Sequence, residues 1–503
     1  MPLSPPMDSM HVLTSIVVAA AMLVAYLAAT AARKLKTLPP GPPGWPIIGN
    51  LLDLPKEFQW HKYKEWSEQY DSDIIHLKVF GTSIIVLSSL ESISTLLEGR
   101  ASIYSDRPKS TMVNELCDLP AFSVILLRLT LSRMGYDRVF AFMPYGPLWR
   151  SHRKAFHQEF QPQHASRHHP IEAKATHNLL RHLLTNPQQW FEHARHEAGS
   201  AIMNIAYGLE GHPENDHFMQ IAEEAVSSIE KASIPGTFLV DIIPLLKYVP
   251  AWAPGAGFQR KAEAWKTTLD DLAAGNAKPS FVSRSLAAMD ATGDLKEQER
   301  IIRETAAVIY AGICHSARPR LMVPSTTGIF MMAALLHPEV QAKAHAELDS
   351  VLGKGHLPTF ADQESLPYVM AVVKETFRWE TVSPLAVPRQ VRQDDEYKGY
   401  HIPKGSIILQ NSWAVFHDES VYPDHLAFKP ERFLKDGRLD PTVQDPDVVS
   451  FGHGRRICPG KTMGFDSVWL NVASILAAFD IKKVAKPDIH TVEPKLVSLG
   501  IAW

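Results

Sequence analysis

Residues 451–460, Phe-Gly-His-Gly-Arg-Arg-Ile-Cys-Pro-Gly, set a single cysteine in a glycine-bracketed loop. Cys458 can act as a nucleophile or a metal ligand, and both roles need the thiolate. The following segment, 461–478, has the pattern of a helix, so Cys458 stands just before a helix N-terminus. Free amides and the helix dipole favour the anion there. Gly454 and Gly460 allow backbone shapes closed to other residues and let a flat ligand come close. Arg456 can reach an anionic group on such a ligand. A thiolate bound to iron donates strongly and favours O–O cleavage once O₂ is bound. For Gly-x-Cys alone, a glycine turn with an incidental buried cysteine is the better reading. The full spacing of Phe451, Gly454, Arg456, Cys458 and Gly460 is far more specific.

Other residues could support such a centre. Glu375 and Arg378, in Glu-Thr-Phe-Arg, share one helix face by their i, i+3 spacing. Pro430-Glu-Arg-Phe433 supplies Arg432, and Trp149-Arg-Ser-His-Arg153 supplies an indole and a guanidinium one turn apart. A guanidinium suits a carboxylate because it can donate two parallel hydrogen bonds. The chain has only three cysteines, Cys117, Cys314 and Cys458. So sparse a count argues against a disulfide framework and for a reducing compartment. Of the 23 histidines, the cluster His164, His168 and His169 reads as solvated helix surface, because no HExxH or CxxC set accompanies it. A net charge of -3 gives no support to a nucleic-acid role.

The constellation FxxGxRxCxG resembles the haem-binding signature of the cytochrome P-450 family. The other three motifs are similar to that family's ExxR, PERF and WxxxR elements. The resemblance implies that Cys458 is the axial iron ligand of haem b, and that Glu375, Arg378 and Arg432 form a buried triad beneath the cysteine loop. It implies that Trp149 and Arg153 bind a haem propionate, with Arg389 of Pro388-Arg389 as a further contact. It also implies a cytochrome P-450 fold, mainly α with minor β, and a monooxygenase reaction. NADPH–cytochrome P-450 reductase would supply two electrons singly, with cytochrome b5 as an optional second donor. One atom of O₂ would enter a small lipophilic substrate. The segments RPKSTMVNEL and FMPYGPLWR resemble fungal members of secondary metabolism, whose substrates would include terpenoids, polyketides and indoles.

The elements that position these groups follow from pattern. Residues 1–11 are a short N-terminal segment. Residues 12–32 are almost continuously apolar. At ~1.5 Å per residue they span about 30 Å, a bilayer core. No Lys or Arg precedes the run, while Arg33, Lys34 and Lys36 follow it. This reads as an uncleaved transmembrane anchor with the bulk of the chain in the cytosol, which in this family means the endoplasmic reticulum membrane. Residues 33–48 form a basic and proline-rich hinge, read as a stiff spacer. Residues 49–503 form a single large catalytic domain. Helices are expected over 171–185, 191–207, 298–311, 328–352 and 363–380, and strands at Ile84–Leu87 and 405–410.

Three departures from the family pattern stand out. Residues 117–133 separate two segments that run together in related fungal sequences. Residues 313–324 replace the acid–threonine pair expected after Ala311-Gly312, and Pro319 and Pro324 there should break or kink the helix. Thr326-Thr327 resembles the missing threonine position but fits better one turn later. The chain also stops at Leu499–Trp503, where family members continue into a hairpin. Cys117 and Cys314 fall inside the two inserted segments. These read as translated intron sequence, with genuine insertion as the alternative. Besides the monooxygenase, two other readings stand: an inactive or uncoupled haem-binding product, and a haem-thiolate isomerase or peroxygenase.

Overall fold

A computed structural model of the chain describes residues 38–55, 57–108, 140–209, 280–313 and 322–482, without the side chains of 307 and 310–313. The apolar run 12–32, segment 117–133, residues 314–321 and the stretch 499–503 lie outside these, as do Cys117 and Cys314. Among the described residues no helix is long and apolar enough to cross a membrane.

Helices dominate, with minor β structure, as the patterns predict. The longer ones among the described residues are α1 (Gln59–Gln69), α2 (Pro147–Phe160), α3 (His169–Thr185), α4 (Trp190–Tyr207), α5 (Leu295–Ile313), α6 (Met322–Leu336), α7 (Pro338–Val351), α8 (Pro367–Trp379) and α9 (Lys461–Ala478). Prolines at the starts of α2, α7 and α8 sit where a missing N–H has no helical partner to lose. The expected single helix 328–352 is therefore two, because Pro338 starts a new one. Pro324 is the third residue of α6, and the expected break at Pro319 falls in 314–321, outside the described residues. The expected helix 363–380 begins as a 3₁₀ turn, Phe360–Ser365, and continues as α8.

The main sheet has the order β1 (Ile74–Val79), β2 (Thr82–Leu87), β4 (Ile407–Gln410), β3 (Arg389–Gln390). β1 and β2 form an antiparallel hairpin, and β2 runs parallel to β4. The β3–β4 pair matters most for the site, because it fixes Arg389 opposite Ile408. One extensive apolar cluster includes Phe330 of α6, Phe377 of α8 and Trp469 of α9, with Cys458 packed at its margin.

Two expectations need correction. The proline-rich hinge is no free spacer from residue 39 onward. The His76 amide donates to Pro40 O at 2.9 Å, and Gly49 bridges to Val79. Asn50 accepts from the Lys78 amide through Oδ1 and donates to Pro42 O. A Cβ at Gly41 or Gly49 would lie 2.0 Å from a β1 carbonyl oxygen, so close approach demands glycine at both. Nor is the histidine cluster wholly solvated. His168 is buried against Glu159, and His169 stacks on Phe360 at 3.8 Å, while His164 stays near solvent.

Candidate functional site

The motif residues 149–153, 375–378 and 430–433 lie on three separate elements that converge around the cysteine loop. On α8, Glu375 takes two hydrogen bonds from Arg378, at 2.7 and 2.8 Å. Pro430–Phe433 forms a 3₁₀ turn that brings Arg432 Nε to Glu375 Oε1 at 3.1 Å. The rest of Arg378 donates to the carbonyls of Phe416, His425 and Ala427, and Arg432 to those of Pro423, Asp424 and Ala427. The triad is buried and complete in itself.

The loop above it closes through the Cys458 amide, which donates to Phe451 O at 2.8 Å. Phe451 is buried, 5.6 Å from the ring of Phe377. Gly454 needs its glycine: φ is +55°, and a Cβ would lie 2.2 Å from Leu97 O. The constraint comes from the π-helical turn Ser94–Gly99 rather than from a ligand. At Gly460 a Cβ would meet nothing within 4 Å, so that side of the loop is open. α9 starts at Lys461, directly after the loop, as the pattern predicts. The thiol is nevertheless not tuned downward. Burial pushes it up, and the Gly460 amide and Arg153 offset this only in part. The helix N-terminus alone therefore does not make a thiolate; a cation at the sulfur would.

Four guanidinia gather beside this loop. Arg153 donates to Ile457 O at 2.6 Å. Arg456 donates to Ser105 O and Met143 O, and its guanidinium carbon lies 4.6 Å from the centre of the Trp149 ring. Arg389 donates to His453 O at 2.7 Å. Arg107, which the motifs did not flag, donates to Ala141 O, Val387 O and Pro388 O. Its only sequence signal is an Arg-Pro step in a loop. Among the described residues, every hydrogen bond from these four guanidinia ends on a backbone carbonyl. Burial pulls the Arg107, Arg456 and Arg389 pKa values down, the last two to about 9 and about 10, and the like charges of Arg456 and Arg389 add to it at Arg107. Such depression measures the cost of buried unpaired cations, since arginine itself stays charged. Two donors in the group, Trp149 Nε1 and Arg389 Nη1, are buried with no partner. The set lacks an anion with at least two oxygens, and the two propionates of haem fit it.

The late hydroxyls separate clearly. Thr327 Oγ1 donates back to Val323 O at 2.8 Å, inside its own helix. Thr326 Oγ1 is buried without a partner and lines a cavity of about 10 Å³ with Phe377, Glu380, Ser383 and Ser450. Burial pushes the Glu380 carboxyl up to about 7. Sequence reading missed Glu380, which follows α8 with no motif of its own.

A mainly helical fold with a cysteine loop, a buried carboxylate–arginine triad and an anion-deficient arginine cradle defines a haem-thiolate protein. The Cytochrome P450 family profile matches residues 39–501. Cytochrome P450 monooxygenase 98 of Postia placenta is 43% identical over 93% of this chain and 88% of its own length. Tryptamine 4-monooxygenase of Psilocybe cyanescens is 40% identical, over 89% and 86%. Cytochrome P450 monooxygenase ple1 of Rhodocybe pseudopiperita is 37% identical, over 97% and 91%. The chain belongs to the cytochrome P450 family. It is a monooxygenase of the fungal secondary-metabolism type, using haem b, O₂ and NADPH-derived electrons delivered by a reductase to oxidise a lipophilic substrate. The inactive-product and isomerase or peroxygenase readings are not favoured.

Proposed function

We propose that Cys458 is the axial iron ligand and that Trp149, Arg153, Arg389, Arg456 and Arg107 hold the haem propionates. The observation that carries this is the pair of orphaned donors, Trp149 Nε1 and Arg389 Nη1, among guanidinia that hydrogen-bond no carboxylate among the described residues. Haem bound there supplies oxygen activation. The protein's part is to fix the sulfur through the Phe451 carbonyl and Gly460 amide, to neutralise the propionates, and to lock α8 beneath the loop through Glu375, Arg378 and Arg432. Phe451, Gly454 and Gly460 shape the loop rather than react. On the α6 side, Thr326 rather than Thr327 is the hydroxyl free to pass a proton.

The test is a carbon monoxide difference spectrum of the reduced protein, with the Cys458→Ala variant beside it. The wild type is expected to show the thiolate-type Soret band and the variant to lose it. Survival of that band in the variant refutes the ligand assignment. Product formed per NADPH consumed, with a reductase and a panel of terpenoid, polyketide and indole substrates, then reads the reaction. The tryptamine-acting relative places indole amines on that panel.

The membrane reading belongs here too. Residues 12–32 serve as a single-pass anchor, residues 33–38 join it to a domain that packs from residue 39 onward, and the domain faces the cytosol from the endoplasmic reticulum, where cytochrome b5 is also at hand. Trp45, Ile47, Leu52 and Phe80 support it, since they are exposed at 59%, 89%, 70% and 45% close to where the anchor would enter. Fractionation of the full chain and of a chain starting at residue 38 tests it. The anchor is refuted if both fractionate alike.

A further inference from the structure

A second polar cavity, of about 30 Å³, lies between α3, α4, α6 and α9. Its polar wall is Glu172 and Thr176 of α3, Glu197 of α4, and Ser467 and Asn471 of α9. Ser467 Oγ donates to Glu172 Oε1 at 2.5 Å, and Thr176 Oγ1 donates to Asn471 Oδ1 at 2.8 Å. Both hydroxyl protons are thus spent within the wall, and lone pairs remain. Glu172 is 3% exposed, and its Oε2 is buried with no partner. Once Glu172 is ionised, its Oε2 has no donor among the described residues, so the ionised site calls for a donor or a cation.

Charge narrows the choice. Glu197 lies 3.3 Å from His182 Nδ1 and 3.4 Å from His196 Nδ1, which answer its charge whenever those rings are protonated. Glu172 has no cationic neighbour within ion-pair distance among the described residues, and Asp466 adds like charge. Glu172 can therefore ionise only if a cation enters the cavity beside it. Among the described residues no group of three or more His, Cys, Asp or Glu is placed to hold a metal ion, which disfavours a tightly held divalent or transition metal. The space suits one small desolvated ion or one to two waters.

We propose that this cavity binds one monovalent cation of Na⁺ or K⁺ size, held by Glu172 with oxygens of Thr176, Ser467, Asn471 and Glu197. The ion braces α9 directly below the cysteine loop, since Met463 and Gly464 also line the cavity. Without it, burial keeps the Glu172 carboxyl protonated, pushed up to about 8. With it, the Glu172 O–H bond breaks and the proton leaves to solvent, one per ion bound. Binding therefore tightens as pH rises toward 8. The other titratable groups facing these elements are His169 on α3, His182 and His196 beside Glu197, and Lys461 and Asp466 on α9; α6 presents apolar Val323 to the cavity.

The experiment measures melting midpoints of the full chain at pH 8 and fixed ionic strength, in NaCl, KCl and tetramethylammonium chloride. Either small cation should raise the midpoint by a few degrees, increasing with concentration, and tetramethylammonium should not. Glu172→Gln, which keeps shape and loses charge, should abolish the difference. Should that variant fail to fold, Ser467→Ala should reduce the response. In parallel, the infrared carboxylic-acid band that Glu172→Gln removes should vanish from wild type when the cation is added. Equal midpoints in all three salts, an undiminished response in Glu172→Gln, or an acid band that persists in NaCl and KCl overturns the proposal and leaves a neutral Glu172 beside water. None of these readouts requires haem, so failure here is separable from failure of the haem assignment.

Discussion

Two groups of buried arginine flank the cysteine loop, and they are built on opposite terms. In the triad, Arg378 and Arg432 share the Glu375 carboxylate, and their remaining donors reach carbonyls. In the cradle, Arg107, Arg153, Arg389 and Arg456 have carbonyls alone, and burial works against each of them. The triad is finished by folding; the cradle is finished only by an anion. The same residue type thus does structural work in one place and binding work in the other. What separates them is whether a carboxylate of the chain itself is within reach.

The comparison is broken most severely at Glu375. Glu375→Gln leaves two buried guanidinia unpaired, and the expected loss is about 3–5 kcal/mol. Equilibrium denaturation measures it. A loss under about 1 kcal/mol would show that the carbonyls suffice, and the distinction between the two groups would fall.

The cradle should respond in the reverse sense. Arg389→Met removes a buried cation whose counter-charge is only the half-exposed Glu98, so the haem-free protein should change by no more than about 1 kcal/mol in either direction. Haem release should quicken by about ten- to a hundredfold, the worth of a lost hydrogen bond to a charged group. Stopped-flow transfer of haem to an acceptor protein reads the rate. Marked destabilisation with unchanged haem release would make Arg389 structural. Trp149→Phe is the milder version. It keeps the ring beside Arg456 and deletes only the orphaned N–H, so release should quicken about tenfold while the haem-free stability holds.

Much of this contrast was legible in the sequence, and the illegible part has a physical cause. Cys458 before a helix at 461, and Glu375 one turn from Arg378, are local patterns that need only the helical period. Arg389 and Arg456 come with motifs of their own. Arg107 does not, because it joins the cradle only when its loop folds against Val387 and Pro388, some 280 residues away in sequence. Glu172 carries no motif, and it is the packing of α9, with Ser467, that buries it. The proline-rich hinge reads as a spacer because nothing local reveals that β1 will receive Pro40, Gly49 and Asn50. Contacts made across the chain leave no period to detect, whereas caps, turns and i, i+3 pairs do. The split of 328–352 at Pro338 was the reverse case, a local signal outweighed by a continuous apolar pattern.

The smallest effects discriminate between the two threonines on α6. Thr327→Val loses a hydrogen bond whose acceptor, Val323 O, lies in the same helix, so stability should fall by about 0.5 kcal/mol or less. Thr326→Val replaces a buried hydroxyl that has no partner, so stability should rise, by about 1 kcal/mol. If Thr326 passes protons from the Glu380 side, the stabilised variant should form less product per NADPH, while Thr327→Val should not. Because the Glu380 carboxyl lies at about 7, Glu380 holds its proton below that pH and loses it above, so coupling through Thr326 should decline as pH rises through 7. Glu380→Gln should flatten that decline. Equal coupling in both threonine variants would place the hydroxyl's role in packing alone, and the stability difference between them would still stand as a measure of which side chain the helix has already satisfied.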